Sequence, residues 1–131
     1  MTADDLHDFY RAYIACLNRQ DWPNLHRYVG EAVRYNGASI GRDGYRAMLI
    51  GDFEAIPDLA FNIELIVAEP PTVASRLAFD CTPVGTLFGL PVNGRRVRFT
   101  ENVFYEVREG AIRSVWSVID KAAVAAQIRD A

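Results

Sequence analysis

Residues Arg95–Asp120 read RRVRFTENVFYEVREGAIRSVWSVID. The stretch predicts two strands joined at a Glu109-Gly110 turn. On the first strand Val97, Phe99, Val103, Tyr105 and Val107 alternate with Arg96, Arg98, Thr100, Asn102 and Glu106. That period-two pattern marks a strand with one buried face. Glu101 falls on the apolar side, where a carboxylate needs a reason to be, because burying an unpaired charge is costly. The second strand carries Trp116 and Ser117 and ends at Asp120.

The register of this hairpin decides which polar groups meet, and two registers fit the residues. A two-residue Glu109-Gly110 turn sets Val103 opposite Trp116 and Phe99 opposite Asp120, with Glu101 diagonal to Asp120. Two carboxyls then share one apolar face, and repulsion plus desolvation hold one of them protonated near neutrality. A three-residue Arg108-Glu109-Gly110 turn with a bulge at the glycine instead sets Glu101 opposite Ser117. Asp120 then points away and caps the helix that follows. A slip of one residue exchanges the faces, so both registers stand at this point.

Upstream, residues 3–19 predict an amphipathic helix with Leu6, Phe9, Tyr10, Tyr13, Ile14 and Leu17 on one face. Thr2 and Asp5 have the spacing of a capping box. A short helix is predicted over Trp22–Tyr28, with Pro23 in its first turn, and an extended piece over Val33–Asn36. A third helix is predicted from about Asp43 to Ile56, stopped by Pro57. Asp52 lies at the edge of its apolar stripe, within reach of a cavity, and solvent exposure is the reading adopted. Leu59–Glu69 and Thr72–Thr82 alternate as strands, the first with Leu59, Phe61, Ile63, Leu65 and Val67 on one side. Arg76 and Asp80 share a face of the second but sit about 13 Å apart along it, too far for a direct pair. Val84–Gly94 is an apolar loop expected to cover a pocket mouth or a neighbouring subunit. Lys121–Arg129 predicts a closing helix.

The bulk composition narrows the function classes. A chain of 131 residues, half hydrophobic and a quarter charged, is long enough for one well-packed domain over 1–131. The net charge of −3 and the absence of a basic cluster beyond Arg95, Arg96 and Arg98 argue against nucleic acid as a partner. No apolar run follows Met1, so neither a leader nor a membrane span is expected. Cys16 and Cys81 are expected as buried thiols of a cytoplasmic protein. With two histidines and two cysteines in no ligand-like spacing, no structural metal and no cofactor is expected.

Helices first, then strands with short turns, then a helical tail make an α+β pattern: a curved antiparallel sheet wrapped on N-terminal helices. A sheet curled this way is a cone-shaped barrel whose central pocket is mostly apolar. The chain resembles the SnoaL-like polyketide cyclases, also called the ester cyclase family, of the nuclear transport factor 2-like superfamily. The residues that carry the resemblance are Ile56-Pro57-Asp58-Leu59, Gly85, Phe88-Gly89-Leu90-Pro91 and Asn93-Gly94-Arg95, then Glu109-Gly110-Ala111-Ile112, Trp116, Asp120 and Gln127. It implies a deep pocket and a homodimer packed through the sheet. It also implies an acid/base aspartate where this chain has Ser117, and histidines where it has Val103 and Pro83.

The site expected from these readings has Glu101 and Asp120 as catalytic carboxyls and Tyr35, Asn36, Tyr105, Trp116 and Ser117 as ligand-binding groups. The function expected is proton-transfer chemistry without a cofactor on a small hydrophobic carbonyl compound, by a cyclase, isomerase or hydrolase-like enzyme. Binding of a hydrophobic ligand without turnover, or service as a dimeric adaptor, are the alternatives.

Overall fold

The computed structural model describes residues 1–129. Helix α1 (Ala3–Asn18) starts at a capping box in which Thr2 and Asp5 satisfy each other's backbone N–H groups. Its buried face carries Leu6, Tyr10, Tyr13, Ile14 and Leu17. A 3-10 helix (Trp22–Arg27) leads into strand β1 (Val29–Tyr35), which turns through Asn36-Gly37 into β2 (Ala38–Ser39). Both turn residues have positive φ, 48° and 84°, as a two-residue hairpin turn matched to strand twist requires. Helix α2 (Gly41–Ala55) follows, then β3 (Asn62–Glu69) and β4 (Thr72–Cys81). The 84–94 loop folds into a small hairpin of β5 (Thr86–Leu87) and β6 (Leu90–Pro91), and the chain ends with β7 (Val97–Arg108), β8 (Ala111–Ile119) and α3 (Lys121–Arg129).

The main sheet has the order β2-β1-β8-β7-β4-β3. It is mixed rather than wholly antiparallel: β1 runs parallel to β8, because the α2 and β3–β4 excursion separates them in sequence. The sheet is open, with β2 and β3 at its edges. Its inner face packs on α1, α2 and the 3-10 helix around a single hydrophobic cluster that includes Leu25, Val33, Val73, Leu77, Val97 and Ile112. Cys16 and Cys81 are buried free thiols.

Two bulges set which side chains face that core. The β7–β8 turn is the two-residue kind, with Arg108 opposite Ala111 and Val107 opposite Ile112. One rung later Glu106 pairs with Ser114, so Arg113 is an extra residue. Ile112 and Val115, three apart, therefore both point inward, which a regular strand cannot do. Beyond the bulge Glu101 lies opposite Ile119, Val103 opposite Ser117, and Phe104 opposite Trp116. Neither predicted register is the one adopted. The second β-bulge is at Glu64 in β3, where Ile63 pairs with Leu77 and Leu65 with Arg76. It turns Leu65 and Val67 out of the core side, where strict alternation had put them, and brings Ile66 and Ala68 in.

Three carboxamides hold the edges of this frame by imitating a strand, each accepting from and donating to the backbone of one residue. Asn18 clamps Phe61, Asn36 clamps Ser117, and Gln127 clamps Arg98. Arg76 and Asp80 do not pair with each other. Arg76 meets Glu64 at 3.1 Å, and Asp80 takes Arg96 at 2.6 Å and Arg98 at 3.2 Å.

Candidate functional site

Between the inner face of the sheet and the two long helices lies a cavity of about 190 Å³. Its walls are mainly aromatic and aliphatic, with Phe61, Phe79 and Phe99 from one side and Ile14, Leu17 and Leu49 from the other. Phe79 and Phe99 stack at 4.9 Å, and Phe88 of the 84–94 loop meets Phe99 edge-on at 5.7 Å. The loop is tied to the end of α2 by a Val84 to Ala55 backbone bond of 2.9 Å. Leu87 and Phe88 line the cavity from this loop, so the loop covers the pocket as its apolar composition implies.

Glu101 enters this cavity from β7. The alternation that puts Phe99, Val103 and Tyr105 inward carries it there. Ser117 Oγ donates a hydrogen bond to Glu101 Oε2 from the neighbouring strand. Burial raises the Glu101 pKa above the ordinary carboxylate value, and the Ser117 hydroxyl opposes the rise by stabilising the ionised form.

A band of tyrosines flanks the carboxylate. Tyr13 and Tyr45 share a 2.6 Å hydroxyl pair, and Tyr10 and Tyr105 a longer one of 3.3 Å. Desolvation pushes all four phenols up, Tyr10 to about 12, so they stand as neutral donors. Ser75 Oγ, buried on β4, approaches the Tyr10 hydroxyl without reaching hydrogen-bond geometry. Tyr35 is half-buried at the rim, and desolvation raises its phenol as well.

Of the residues expected at the site, Glu101, Tyr35 and Tyr105 line the cavity, and Ser117 stands behind Glu101 as its partner. Three expectations are corrected. Asp120 does not face Glu101: its Oδ1 accepts from the Ala123 N–H at 3.1 Å and caps α3. Trp116 is on the opposite face of the sheet, 46% exposed beside Phe104, because the Arg113 bulge reverses β8. Asn36 lies outside the cavity and acts on the Ser117 backbone, accepting its N–H at 2.8 Å.

Asp52 is solvent-exposed, as the reading of α2 expected, and also lines the cavity. It stands at the rim: exposed over part of its surface, yet with enough protein around the carboxyl that desolvation, aided by the charge of Glu101, pushes its pKa up to about 6. Its place at the edge of the apolar stripe was the only signal. Among the described residues no group of three or more His, Cys, Asp or Glu side chains is placed to hold a metal ion. No helix among them is long and apolar enough to cross a membrane.

The family model of the SnoaL-like polyketide cyclases matches residues 7–128. Among solved structures, a SnoaL-like polyketide cyclase from Agrobacterium tumefaciens strain C58 is similar at 47% identity, with a TM-score of 0.93 and 98% of both chains covered. TsrD from Streptomyces laurentii is similar at 20% identity and a TM-score of 0.85, covering 97% of this chain and 96% of that one. IdmH from Streptomyces antibioticus is similar at 21% identity and a TM-score of 0.81, covering 93% and 96%. These two likenesses concern the fold. No curated protein matches the chain. The family match over nearly the whole length, on a fold that superposes on a cyclase almost end to end, means that this chain belongs to the SnoaL-like polyketide cyclase family, within the nuclear transport factor 2-like superfamily.

Proposed function

We propose that this protein is an enzyme that moves a proton on a small, uncharged, hydrophobic carbonyl compound held in the cavity, with Glu101 as the base and no cofactor. The observation that carries the reading is a carboxylate with a single hydroxyl partner inside a chamber walled, apart from Asp52 at its mouth, by aromatic and aliphatic groups. A base whose pKa is raised toward neutrality is matched to removing a proton next to a carbonyl. Neutral tyrosine hydroxyls, Tyr35 and the Tyr13–Tyr45 pair, line the same chamber and supply donors for the oxyanion that develops. Membership of the family supports a cyclase- or isomerase-type function.

The size of the chamber narrows the substrate. About 190 Å³ compares with the ~150 Å³ that holds a benzene ring, so the ligand is of one-ring size. The probes are therefore acetophenone and cyclohexanone, with loss of their α-protons in heavy water followed by NMR. Glu101→Gln is expected to abolish exchange while leaving ligand binding intact. Exchange at the wild-type rate in that variant removes Glu101 from the chemistry.

A second reading, a pocket that binds without turnover, is favoured by one observation. Ser117, Val103 and Pro83 stand where the family resemblance implies an aspartate and two histidines. Probe binding without exchange in the wild-type protein selects it.

The working form proposed is a homodimer joined through the outer face of the sheet. There Phe104, Trp116 and Val118 are 54%, 46% and 72% exposed, and Leu65 and Val67 continue the patch across β3. A contiguous apolar face of this kind is what subunit interfaces are made from. A reducing cytoplasm is the compartment proposed, since both buried thiols are free.

A further inference from the structure

Among the described residues that line the cavity, Asp52 and Glu101 are the two acidic side chains, one on the helical wall and one on the sheet. Among the described residues no lysine, arginine or histidine lines it. The groups that share the cavity with Asp52 are Glu101 from β7 and the hydroxyls of Tyr13 from α1, Tyr35 from β1, Tyr45 from its own helix and Tyr105 from β7. Among the described residues its carboxyl meets neither a cation nor a hydrogen-bond donor. It sits in the last turn of α2, which carries no basic residue, and the carbonyl end of a helix disfavours a negative charge. Glu101 differs in one respect that matters: the Ser117 hydroxyl favours its ionised form. Burial raises both carboxyls, but only Glu101 has a hydroxyl that favours its charge, so Asp52 is the one that holds its proton longer.

We propose that Asp52 is the acid partner of Glu101, a protonated carboxyl at the cavity mouth that protonates the carbonyl oxygen of the substrate while Glu101 takes the proton from the adjacent carbon. The inference rests on the reading of Glu101 as base. In the forward step the C–H bond breaks and its electron pair forms a C=C bond. The carbonyl π pair takes the Asp52 proton, leaving an enol, a protonated Glu101 and an ionised Asp52. In the return step Glu101 gives its proton to the same carbon, or to the carbon two positions along a conjugated chain, and the enol O–H goes back to Asp52. No oxidant, reductant or co-reactant is consumed. The negative charge passes from one carboxyl to the other, so the total charge of the chamber stays constant through the cycle, and a poorly solvated site tolerates that far better than a new ion. Substrate orientation follows: the carbonyl lies toward the mouth and the apolar ring toward Phe79 and Phe99. Carboxylate-bearing ligands are disfavoured by the ionised Glu101, with no lysine, arginine or histidine among the described lining residues to offset it.

The test compares wild type, Asp52→Asn and Glu101→Gln in α-proton exchange of acetophenone across pH 4–9, beside a carbon-13 titration of the aspartate carboxyls. Wild-type exchange is expected to fall on the alkaline side of about pH 6 as Asp52 ionises. Asp52→Asn is expected to lose about 10²-fold in rate and the alkaline limb with it, keeping the acid limb that belongs to Glu101. In the titration, the resonance missing from Asp52→Asn is expected to have a midpoint well above the ordinary aspartate range, and Glu101→Gln to lower it. If Glu101→Gln is inactive while Asp52→Asn keeps the wild-type rate and profile, the acid role falls and the base role survives. If Glu101→Gln exchanges normally, the base role falls, and the acid role with it. An Asp52 midpoint that is ordinary, or unmoved by Glu101→Gln, overturns the proposal whether or not acetophenone is turned over.

Discussion

Ser117 Oγ is hydrogen-bonded to Glu101 Oε2 although Ile119, not Ser117, is the residue directly across the strand pair from Glu101. The bond is diagonal, and it exists because the bulge at Arg113 brings Ser117 to the inner face. It lowers a carboxyl pKa that burial raises. Ser117→Ala therefore moves the acid limb of the Glu101 pH profile upward, since the bond that favours the charged form is gone. A carbon-13 titration of the glutamate carboxyls reads the shift directly. An unmoved midpoint would mean that the hydroxyl does not hold the charge.

Asn36 holds Ser117 in place by two bonds to its backbone, and its own N–H reaches the Val115 carbonyl at 2.8 Å. It also occupies the left-handed region, with φ of 48°, where a side chain with Cβ costs about 1 kcal/mol. Asn36→Ala is expected to lose roughly 2 kcal/mol of stability, from the strain and the missing bonds together. Asn36→Gly, which keeps the conformation and loses only the amide, should lose about half as much. Denaturant midpoints of the two variants check the order; equal losses would show that the left-handed φ costs alanine nothing, and an Asn36→Gly variant as stable as wild type would show that the clamp contributes nothing.

Asp52 makes stability depend on pH in a defined direction. Its carboxyl ionises near its ordinary value of 3.8 in the unfolded chain and near about 6 when folded. The folded state thus binds the proton more tightly, and stability falls as pH rises between those values. The penalty is fully present above about pH 6. Asp52→Asn removes it, so the variant should melt higher than wild type at pH 7–8 and level with it near pH 4. Because the residue partly faces water, the gain is of the order of 1 kcal/mol at most, a few degrees in Tm for a domain of this size. A variant less stable at pH 8 would contradict this account.

The apolar outer face of the sheet gives a prediction about assembly. Phe104 and Trp116 sit opposite each other there. A charge placed at the centre of such a patch disrupts an interface while leaving the inner core untouched. Phe104→Glu is expected to convert a dimer to a monomer in sedimentation velocity, with the far-ultraviolet circular dichroism unchanged. A wild-type protein that sediments as a monomer would remove the proposed interface.

The helices, the strand sequence and the inward side of β7 were legible because their patterns are uninterrupted. Phe99, Glu101, Val103 and Tyr105 alternate without a break, so the position of Glu101 followed from parity alone. The faces of β3 and β8 were not legible. Each contains a bulge, at Glu64 and Arg113, and neither site carries the glycine that would have signalled one. Parity downstream of each is inverted, which is why Leu65, Val67 and Trp116 were assigned to the core side and lie outside it. Asp120 was readable as a cap, since it immediately precedes α3. Asp52 was legible in its exposure but not in its place at the cavity: an acidic residue at the edge of a helical stripe looks the same whether it meets solvent alone or the mouth of a cavity. The choice depends on where the 84–94 loop lies, and no helical periodicity reports that.

The extra residue at Arg113 is also one that the strand can do without. Deleting that one codon would leave Ile112 and Val115 two apart on a regular strand, both still inward, with Ser117 still beside Glu101 and Trp116 still outside. Drawing Arg113 into the ladder without deleting anything would instead turn the Trp116 indole toward the chamber and Ser117 away from it. Homologues that differ in length by a single position here can therefore keep the same chamber, and length alone does not separate them.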